Sequence, residues 1–256
     1  SRLMSASGIV AHLLDQATVD VLPFGEIRVA RALCAALTAP SAPPDALLFA
    51  SNSSPIRHLD SYCDRTPRVL ANRGASGIDG ILHTSLGAAL AHTELGTNDR
   101  LTALLIGDLA FLHDISALDT AARLGKRAPL VIVVLNNGGG GIFHMLPVAR
   151  FGDVFSPYFD TPHGHTFGHV CENFGLHYAR ATTDEGFQAE LRAALSLRRP
   201  CVIEVTTRKE DVVDVPARCI QPRVAAATTS AGLHPASILW ERGGATQSRP
   251  CGATPA

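Results

Sequence analysis

Short, mostly apolar runs recur along this chain, and they constrain its fold more than any other feature. They alternate with stretches of helical character, and they lie at 46–50, 68–72, 101–107, 129–135 and 201–207. Strands that are apolar along their length are buried on both faces, as in a parallel sheet covered by helices. The alternation therefore predicts an α/β fold with a doubly wound parallel sheet of five or six strands.

Differences in local composition and periodicity divide the chain into three parts. Residues 1–44 are predicted to be a linker and a leading helix, the latter within GEIRVARALCAAL. Residues 45–209 contain the strand-like runs and are predicted to form the α/β domain. Residues 210–256 mix Pro, Gly, Ser and Thr without a sustained period, which predicts an irregular, poorly ordered tail.

The composition excludes several classes of function. A net charge of −1 argues against a nucleic-acid binder that works by neutralising phosphates. No apolar run approaches the roughly 20 residues of a membrane helix, and the first residues lack the order of a signal peptide, so we expect neither integral membrane contact nor secretion. The six cysteines form no C-x-x-C pair, which favours reduced thiols over a zinc site. Because the chain begins with Ser, we expect an excised or incomplete chain.

Polar and glycine-rich segments follow four of the predicted strands, and two of these segments form a candidate metal site. Asp108 follows one strand, and Asn136–Asn137 with four glycines follow the next. Ligands of open α/β sheets bind beyond the carboxyl ends of the strands. Carboxylate, carboxamide and carbonyl oxygens suit Mg²⁺, and glycines let the main chain approach a diphosphate. The alternative is that Asp108 only caps a helix and that the glycines only form a turn.

These segments resemble the motifs of one enzyme family. GDLAFLHD…VVLNNGGGGIF is similar to the thiamine-diphosphate motif, a G-D-x followed by N-N at the end of the next strand. NSSPIRHLD, ANRGASGIDGILHTSLGAA, NNGGGGIFHMLP and TPHGHTFGHV resemble 2-succinyl-5-enolpyruvyl-6-hydroxy-3-cyclohexene-1-carboxylate synthase, an enzyme of menaquinone and phylloquinone synthesis. The resemblance covers about residues 25–207. Gly138 replaces the third Asn that is usual in the family, which removes a side-chain hydrogen bond.

The resemblance implies a transferase that decarboxylates 2-oxoglutarate and adds the succinyl-semialdehyde unit to isochorismate, with thiamine diphosphate and Mg²⁺ or Mn²⁺. Its metal ligands would be Asp108, Asn137 and the Gly139 carbonyl. Its cofactor contacts would be Ser53, Ser76, Gly77, Ile78, Asp108, Leu109, Ala110, Asn137, Gly139 and Ile142. Its substrate contacts would be Arg57, Arg73, Ile142, Phe143 and Leu146. Arginine forks suit the carboxylates of both substrates.

Part of the family's machinery has no counterpart in this sequence. The family carries a pyrimidine-binding domain, a middle domain and a diphosphate-binding domain, and the chain resembles the third with the linker before it. The activating glutamate belongs to the first domain, and Glu26, Glu94 and Glu172 lack a matching context. We therefore expect a chain that is inactive alone and works as a homo-oligomer or with a separate pyrimidine-binding chain. Its location would be the cytoplasm of a bacterium or the plastid of a photosynthetic eukaryote.

Two alternatives to the synthase stay open. Another thiamine-dependent enzyme, such as a 2-oxo acid decarboxylase or an acetolactate-synthase-like enzyme, would keep the fold, although RGASGIDG with Arg57 and Arg73 argues against it. A non-catalytic remnant or interaction module would keep the fold alone. The histidines show no metal-ligand spacing and are predicted to be loop or surface residues, among them His144, His163, His165 and His169.

Overall fold

The computed structural model describes residues 23–43, 45–63, 65–95, 100–222 and 225–226. Within these ranges a single parallel sheet carries the fold. Its strands are β1 (Leu47–Ala50), β2 (Arg68–Leu70), β3 (Thr102–Gly107), β4 (Leu130–Asn136), β5 (His177–Ala181) and β6 (Cys201–Thr206). Their order is β2-β1-β3-β4-β6-β5, and every pairing is parallel. The prediction of a doubly wound parallel sheet is confirmed.

Helices cover both faces of this sheet. They are α1 (Glu26–Thr38), α2 (Ser54–Tyr62), α3 (Ile81–Glu94), α4 (Asp108–His113), α5 (Ala117–Leu124), α6 (Gly152–Phe155), α7 (Gly168–Asn173), α8 (Asp184–Leu197) and α9 (Asp211–Val215). Short 3₁₀ turns span Gly125–Arg127, Gly141–Met145 and Pro147–Arg150, and wider π turns span Ser156–Asp160 and Pro216–Ile220. Among the described residues, no helix has the length and apolar character needed to cross a membrane.

Strand β4 shows how the two faces are built. Its odd-numbered residues from Val131 to Leu135 pack in the core layer formed with α1 and α8. Its even-numbered residues from Leu130 to Val134 pack in the opposite layer, with α3, α4 and α5. Successive side chains of a strand point to opposite faces. Asn136, the last residue of β4, and Asn137, the next residue, are therefore directed to different sides of the sheet.

The two edge strands of the sheet, β2 and β5, differ from the strands predicted from the sequence. Strand β5 escapes prediction from the sequence, because its first four side chains are half-buried or exposed and the segment HYARA has no apolar run. Strand β2 has three residues, fewer than the five predicted, and none of them is fully buried. Both strands lie at edges of the sheet, where only one side is paired and the demand for apolar residues is weaker.

The structure describes two helices beside the predicted α/β domain, whose limits stay a prediction. Helix α1, which matches the predicted leading helix, buries Val29, Ala30 and Leu33 in the core beside the sheet. The predicted irregular tail begins with α9 and the Pro216–Ile220 turn, whose apolar residues pack against Ile27 and the Gly141–Met145 turn. Both helices therefore pack against parts of the α/β domain. Residues 1–22, 223–224 and 227–256, which include most of the predicted tail, lie outside the described residues.

Candidate functional site

A cavity of about 360 Å³ opens at the carboxyl edge of the sheet. The chain leaves β1 toward one face, through α2, and leaves β3 toward the other, through α4. Ligands of open α/β sheets bind at such a divergence, and ligand pockets usually measure about 300–1,000 Å³. The predicted site residues that line the cavity are Ser53, Arg57, Ser76, Gly77, Ile78, Asp108, Leu109, Ala110, Asn137, Gly139, Ile142 and Phe143.

Asp108 connects the end of β3 to the glycine loop. Its side chain is almost fully buried, and Oδ1 accepts a hydrogen bond of 2.7 Å from the Leu109 N–H. Oδ2 accepts bonds of 2.8 and 3.0 Å from the N–H groups of Gly138 and Gly139. Burial raises the pKa of Asp108, and these hydrogen bonds oppose the rise only in part. Asp108 is the first residue of α4 and not its N-cap, and its side chain holds the glycine loop that follows β4.

Asn137 lies beside Asp108 and shares a hydrogen-bond donor with it. The Gly139 nitrogen is 3.1 Å from Asn137 Oδ1 and 3.0 Å from Asp108 Oδ2. The two side-chain oxygens are therefore near neighbours. Asn137 Oδ1 accepts a hydrogen bond from the Gly139 N–H and Asp108 Oδ1 accepts one from the Leu109 N–H, and each oxygen can accept a second. Such hard oxygens suit a magnesium ion.

In the described ranges, no three His, Cys, Asp or Glu side chains are grouped to hold a metal. A cation at this edge of the sheet would therefore depend on the mixed set of carboxylate, carboxamide and carbonyl oxygens. That donor set is the one predicted from the sequence. The ligand roles of Asp108, Asn137 and Gly139 stay predictions.

Two of the four glycines, Gly139 and Gly140, have a second reason to be glycine. A Cβ at Gly139 would lie 2.2 Å from the Asp160 carbonyl oxygen, and a Cβ at Gly140 would lie 2.2 Å from the Phe159 carbonyl oxygen. The Gly140 N–H donates to that Asp160 oxygen at 2.7 Å. The prediction attributed the glycines to a ligand or, as the alternative, to a turn. The structure adds that the loop needs them to pass close to another segment of the chain.

The side chain of Asp160 also stabilises this close approach of the glycine loop to residues 159–160. Its buried carboxylate pairs with Lys209 Nζ at 2.6 Å and with His144 Nε2 at 3.1 Å. Burial alone would raise the pKa of Asp160, but the hydrogen bonds and charges of Lys209 and His144 lower it overall. The prediction of a loop or surface position for His144 is correct only for the loop, because the ring is paired and mostly buried.

His163 is a second histidine whose environment the sequence did not reveal. It lies in a loop, as predicted, but its side chain is only 8% exposed and its Nε2 is 3.2 Å from Asp108 Oδ2. The His165 N–H donates to His163 Nδ1 at 3.0 Å. Because Nδ1 accepts, a neutral ring carries its proton on Nε2, which faces the Asp108 carboxylate. His165 and His169 are exposed, as predicted.

The segment after β2 is held by Asn52, a residue that the sequence analysis did not select. Asn52 is buried, and its Nδ2 donates at 2.6 Å to the carbonyls of Asn72 and Gly77. Its Oδ1 accepts a hydrogen bond from Arg73. Asn52 thus ties the RGASG segment to the end of β1. Its position in the polar segment SNSS was the only signal for it in the sequence.

Ser53 and Ser76 have an unusual backbone conformation. Their φ angles are +70° and +58°, in the left-handed region that residues other than glycine rarely adopt. Both residues line the cavity. Strained backbone of this kind concentrates at ligand sites, so the observation supports the prediction that these serines contact a cofactor.

The predicted substrate residues divide into two groups. Ile142, Phe143 and Arg57 line the cavity, and Arg57 donates to the Ser53 carbonyl at 2.7 Å. Arg73 and Leu146 do not line it. Arg73 is exposed and engages Asn52 nearby, whereas Leu146 is exposed beyond the Gly141–Met145 turn.

Glu26 is the main site residue that the sequence analysis set aside. It begins α1, is 5% exposed and lines the cavity. Its carboxylate contacts Asn137 Nδ2 and His58 Nε2, each at 2.8 Å, and Thr207 Oγ1 at 3.4 Å. No local pattern in the sequence links it to Asn137, because the contact spans 111 positions.

Comparisons with known proteins agree with this geometry. The family described as "Thiamine pyrophosphate enzyme, C-terminal TPP binding domain" matches residues 57–205, which is more than half of the chain. A solved structure, the Rhodococcus jostii RHA1 thiamine diphosphate-dependent 4-hydroxybenzoylformate decarboxylase, superposes with a TM-score of 0.58 at 27% identity. That likeness covers 73% of this chain and 33% of the decarboxylase chain.

Three curated relatives are named 2-succinyl-5-enolpyruvyl-6-hydroxy-3-cyclohexene-1-carboxylate synthase. The one from Chlorobium phaeovibrioides is 40% identical over 223 residues, 86% of this chain and 36% of the relative. The one from Rubrobacter xylanophilus is 41% identical, over 81% of this chain and 34% of the relative. The one from Halobacterium salinarum is 44% identical, over 69% of this chain and 29% of the relative.

The chain thus spans about a third of the length of the curated relatives it matches. The matched residues include both strand ends that form the cavity, with Asp108 and Asn137. Thiamine pyrophosphate and thiamine diphosphate are two names for one cofactor. On the extent of these matches, the chain belongs to the family of thiamine pyrophosphate enzymes, as a C-terminal TPP-binding domain.

Proposed function

We propose that this chain is the thiamine-diphosphate- and magnesium-binding part of a 2-succinyl-5-enolpyruvyl-6-hydroxy-3-cyclohexene-1-carboxylate synthase. The observation that carries the proposal is the Gly139 N–H shared by Asp108 and Asn137 at the wall of the cavity. Relatives of 40% and 44% identity carry the name of this synthase. The decarboxylase with a related structure is 27% identical, so the synthase is the better-supported function.

The residues of the cavity fit the proposed cofactor. Asp108, Asn137 and the Gly139 carbonyl would hold Mg²⁺ or Mn²⁺, which in turn would neutralise the diphosphate. The backbone at Ser76 and Gly77 would approach the diphosphate without long side chains in between. When bound, thiamine diphosphate supplies carbanion stabilisation, which the decarboxylation of a 2-oxo acid needs.

The proposed substrate side of the cavity combines apolar side chains with positively charged arginines. Ile142 and Phe143 would exclude water, which strengthens the electrostatic interactions of the site. Arg57 and Arg73 would bind the carboxylates of 2-oxoglutarate and isochorismate. In the structure Arg57 lines the cavity and contacts the Ser53 carbonyl, whereas Arg73 contacts Asn52, which lines the cavity. Each guanidinium has further N–H groups available for a carboxylate.

An apolar surface next to the cavity supports the proposal of a partner. The segment 145–158 exposes five large apolar side chains, with Tyr158 as much as 74% exposed: Met145, Leu146, Phe151, Val154 and Tyr158. Large exposed apolar side chains concentrated in one segment favour an interaction surface there. The partner would be a pyrimidine-binding domain, in a second copy or in a separate chain. The cytoplasmic or plastid location stays a prediction.

The central test is calorimetry of thiamine diphosphate binding to the full chain, with and without Mg²⁺. We expect the wild type to bind only with Mg²⁺, because the diphosphate and the Asp108 carboxylate repel each other without a cation between them. Asp108→Ala should abolish this binding. Asp119→Ala is the matched control, since Asp119 lies on α5 in an exposed pair with Arg123 and does not line the cavity.

Equal affinity of the wild type with and without Mg²⁺ would contradict the proposal whatever the variants do. This comparison needs no mutation, so a folding defect of Asp108→Ala cannot obscure it. A second assay adds a pyrimidine-binding domain and compares 2-oxoglutarate with an aromatic 2-oxo acid. Preference for the aromatic acid would favour a decarboxylase over the synthase.

A further inference from the structure

Glu26 offers Asn137 a buried carboxylate from a distant part of the chain. Oε1 of Glu26 accepts a 2.8 Å hydrogen bond from Asn137 Nδ2. On its other side, the carboxamide oxygen of Asn137 accepts from the Gly139 N–H at 3.1 Å. The Asn137 side chain therefore lies between an acceptor and a donor.

This arrangement selects one of the two orientations of the carboxamide. The oxygen end of an asparagine can bind a cation, whereas the NH₂ end only donates hydrogen bonds. An ionised carboxylate only accepts, so it holds the NH₂ end toward itself. A half-turn of the amide would set its oxygen against the Glu26 carboxylate and its NH₂ against the Gly139 N–H, and both contacts would be repulsive.

Glu26 is itself held from two other elements. Its Oε2 contacts His58 Nε2 of α2 at 2.8 Å, and Thr207 Oγ1, just after β6, lies 3.4 Å from Oε1. Glu26 and His58 are both buried, so the contacts are shielded from water. The carboxylate thus has a defined position between α2, Asn137 and Thr207.

We propose that Glu26 is a positioning residue that keeps the carboxamide oxygen of Asn137 directed at the cavity and thereby sets the affinity for the cation. This inference rests on the proposed function, because it takes Asn137 as a metal ligand. Partners that orient a metal ligand typically change metal affinity by about 10–100-fold when they are removed. The effect of Glu26 should fall in that range.

The test titrates Mn²⁺ in the presence of thiamine diphosphate and follows free Mn²⁺ by electron paramagnetic resonance. Glu26→Met keeps most of the side-chain volume but has no acceptor, and we expect it to weaken Mn²⁺ binding at least about tenfold. Glu26→Gln keeps an acceptor for Asn137 and should restore most of the affinity. Thr207→Val is the matched control, because it removes a donor to the same oxygen without touching Asn137.

A second measurement examines the Asn137 amide itself, without cofactor or metal. In the wild type, the side-chain NH₂ signals, identified by their loss in Asn137→Asp, should show slowed hydrogen exchange. In Glu26→Met they should exchange rapidly, while the backbone amides of β4 remain protected. A rapidly exchanging Asn137 NH₂ in the wild type would overturn the inference even if Glu26→Met does not fold.

The outcomes separate the two proposals. If the wild type binds no Mn²⁺ with thiamine diphosphate, both the proposed function and the role of Glu26 fail. If the wild type binds and Glu26→Met binds equally well, only the role of Glu26 fails. If Glu26→Gln and Thr207→Val lose as much affinity as Glu26→Met, the effect is a general loosening of α1, and positioning is again wrong.

Discussion

Asn136 and Asn137 are neighbours of the same chemical type, yet they serve two different regions of the molecule. Asn136 donates through Nδ2 to Glu204 Oε1 and to the His165 carbonyl, both at 2.9 Å. Asn137 donates to Glu26 at the wall of the cavity. Each asparagine thus meets a buried glutamate, but on opposite sides of the sheet.

The two glutamates differ in what surrounds them. Glu204 is fully buried, and its Oε2 accepts from the Phe167 N–H and the Tyr178 hydroxyl, each at 2.8 Å. Burial and the Glu204 carboxylate raise the pKa of Tyr178, so its hydroxyl keeps the proton that it donates. Glu204 does not line the cavity, whereas Glu26 does. A buried carboxylate is therefore a structural feature in one region and part of a candidate site in the other.

The largest change in the free energy of unfolding is expected when the hydrogen bonds to Glu204 are removed. Glu204→Ala leaves the Asn136 amide, the Phe167 N–H and the Tyr178 hydroxyl without their acceptor. A buried donor without a partner costs about 1–3 kcal/mol, so the free energy of unfolding should fall by about 3–5 kcal/mol. Urea denaturation measures this change. A loss below about 1 kcal/mol would mean that water or a rearranged side chain replaces the carboxylate.

The next prediction compares the two asparagines directly. Asn136→Ala removes a donor from fully buried Glu204, and it should lower the free energy of unfolding by about 1–3 kcal/mol. Asn137→Ala acts at the cavity, so it should cost about 1 kcal/mol or less. Urea denaturation of both variants, with the wild type alongside, gives the two values.

Ligand binding should reverse this order. Thiamine diphosphate titrations with Mg²⁺ should show a large loss of affinity for Asn137→Ala and a small one for Asn136→Ala. In Asn136→Ala, the Gly138 N–H loses its contact with Asn136 Oδ1 but keeps its shorter hydrogen bond to Asp108 Oδ2. Equal losses of affinity would show that the two asparagines belong to one functional unit.

The smallest effect is expected at Gly138, where the resemblance noted in the sequence implies asparagine. Its φ is +79° and a Cβ there would meet open space. Asparagine tolerates the left-handed region better than most residues, so Gly138→Asn should change the free energy of unfolding by only about 0.5 kcal/mol. Gly140→Asn is the contrasting variant, because its Cβ would collide with the Phe159 carbonyl. Similar stability of both variants would contradict the close approach of these segments.

The parts of the molecule that the sequence predicted are those governed by local pattern. Buried strands such as β4 need apolar residues throughout, and polar segments at strand ends must meet at one edge of a parallel sheet. The position of Asp108 beside Asn137 follows from these two rules. The edge strand β5 escaped prediction because a strand paired on one side has no such requirement.

The remaining features depend on contacts between distant segments. Glu26 reaches Asn137 across 111 positions, and Glu204 reaches Asn136 across 68. The close passage of Gly139 by Asp160 depends on how an irregular segment folds back. In each case the sequence shows the residue type, but the partner is chosen by tertiary packing, which no local period records.

The crossing of Gly140 and Asp160 also makes residues 141–159 a closed excursion whose two ends are pinned together. The free energy of closing a flexible loop changes slowly with length, by about 0.6 kcal/mol for each doubling. The middle of this excursion should therefore tolerate changes of length with little effect on the sheet, whereas Ile142, Phe143 and His144 near its first end line the cavity or pair with Asp160. The exposed apolar side chains from Met145 to Tyr158 lie between the pinned ends, so exchanges among them should leave Asp108 and Asn137 in place. The crossing thus separates a stretch whose length can vary from a site whose geometry cannot.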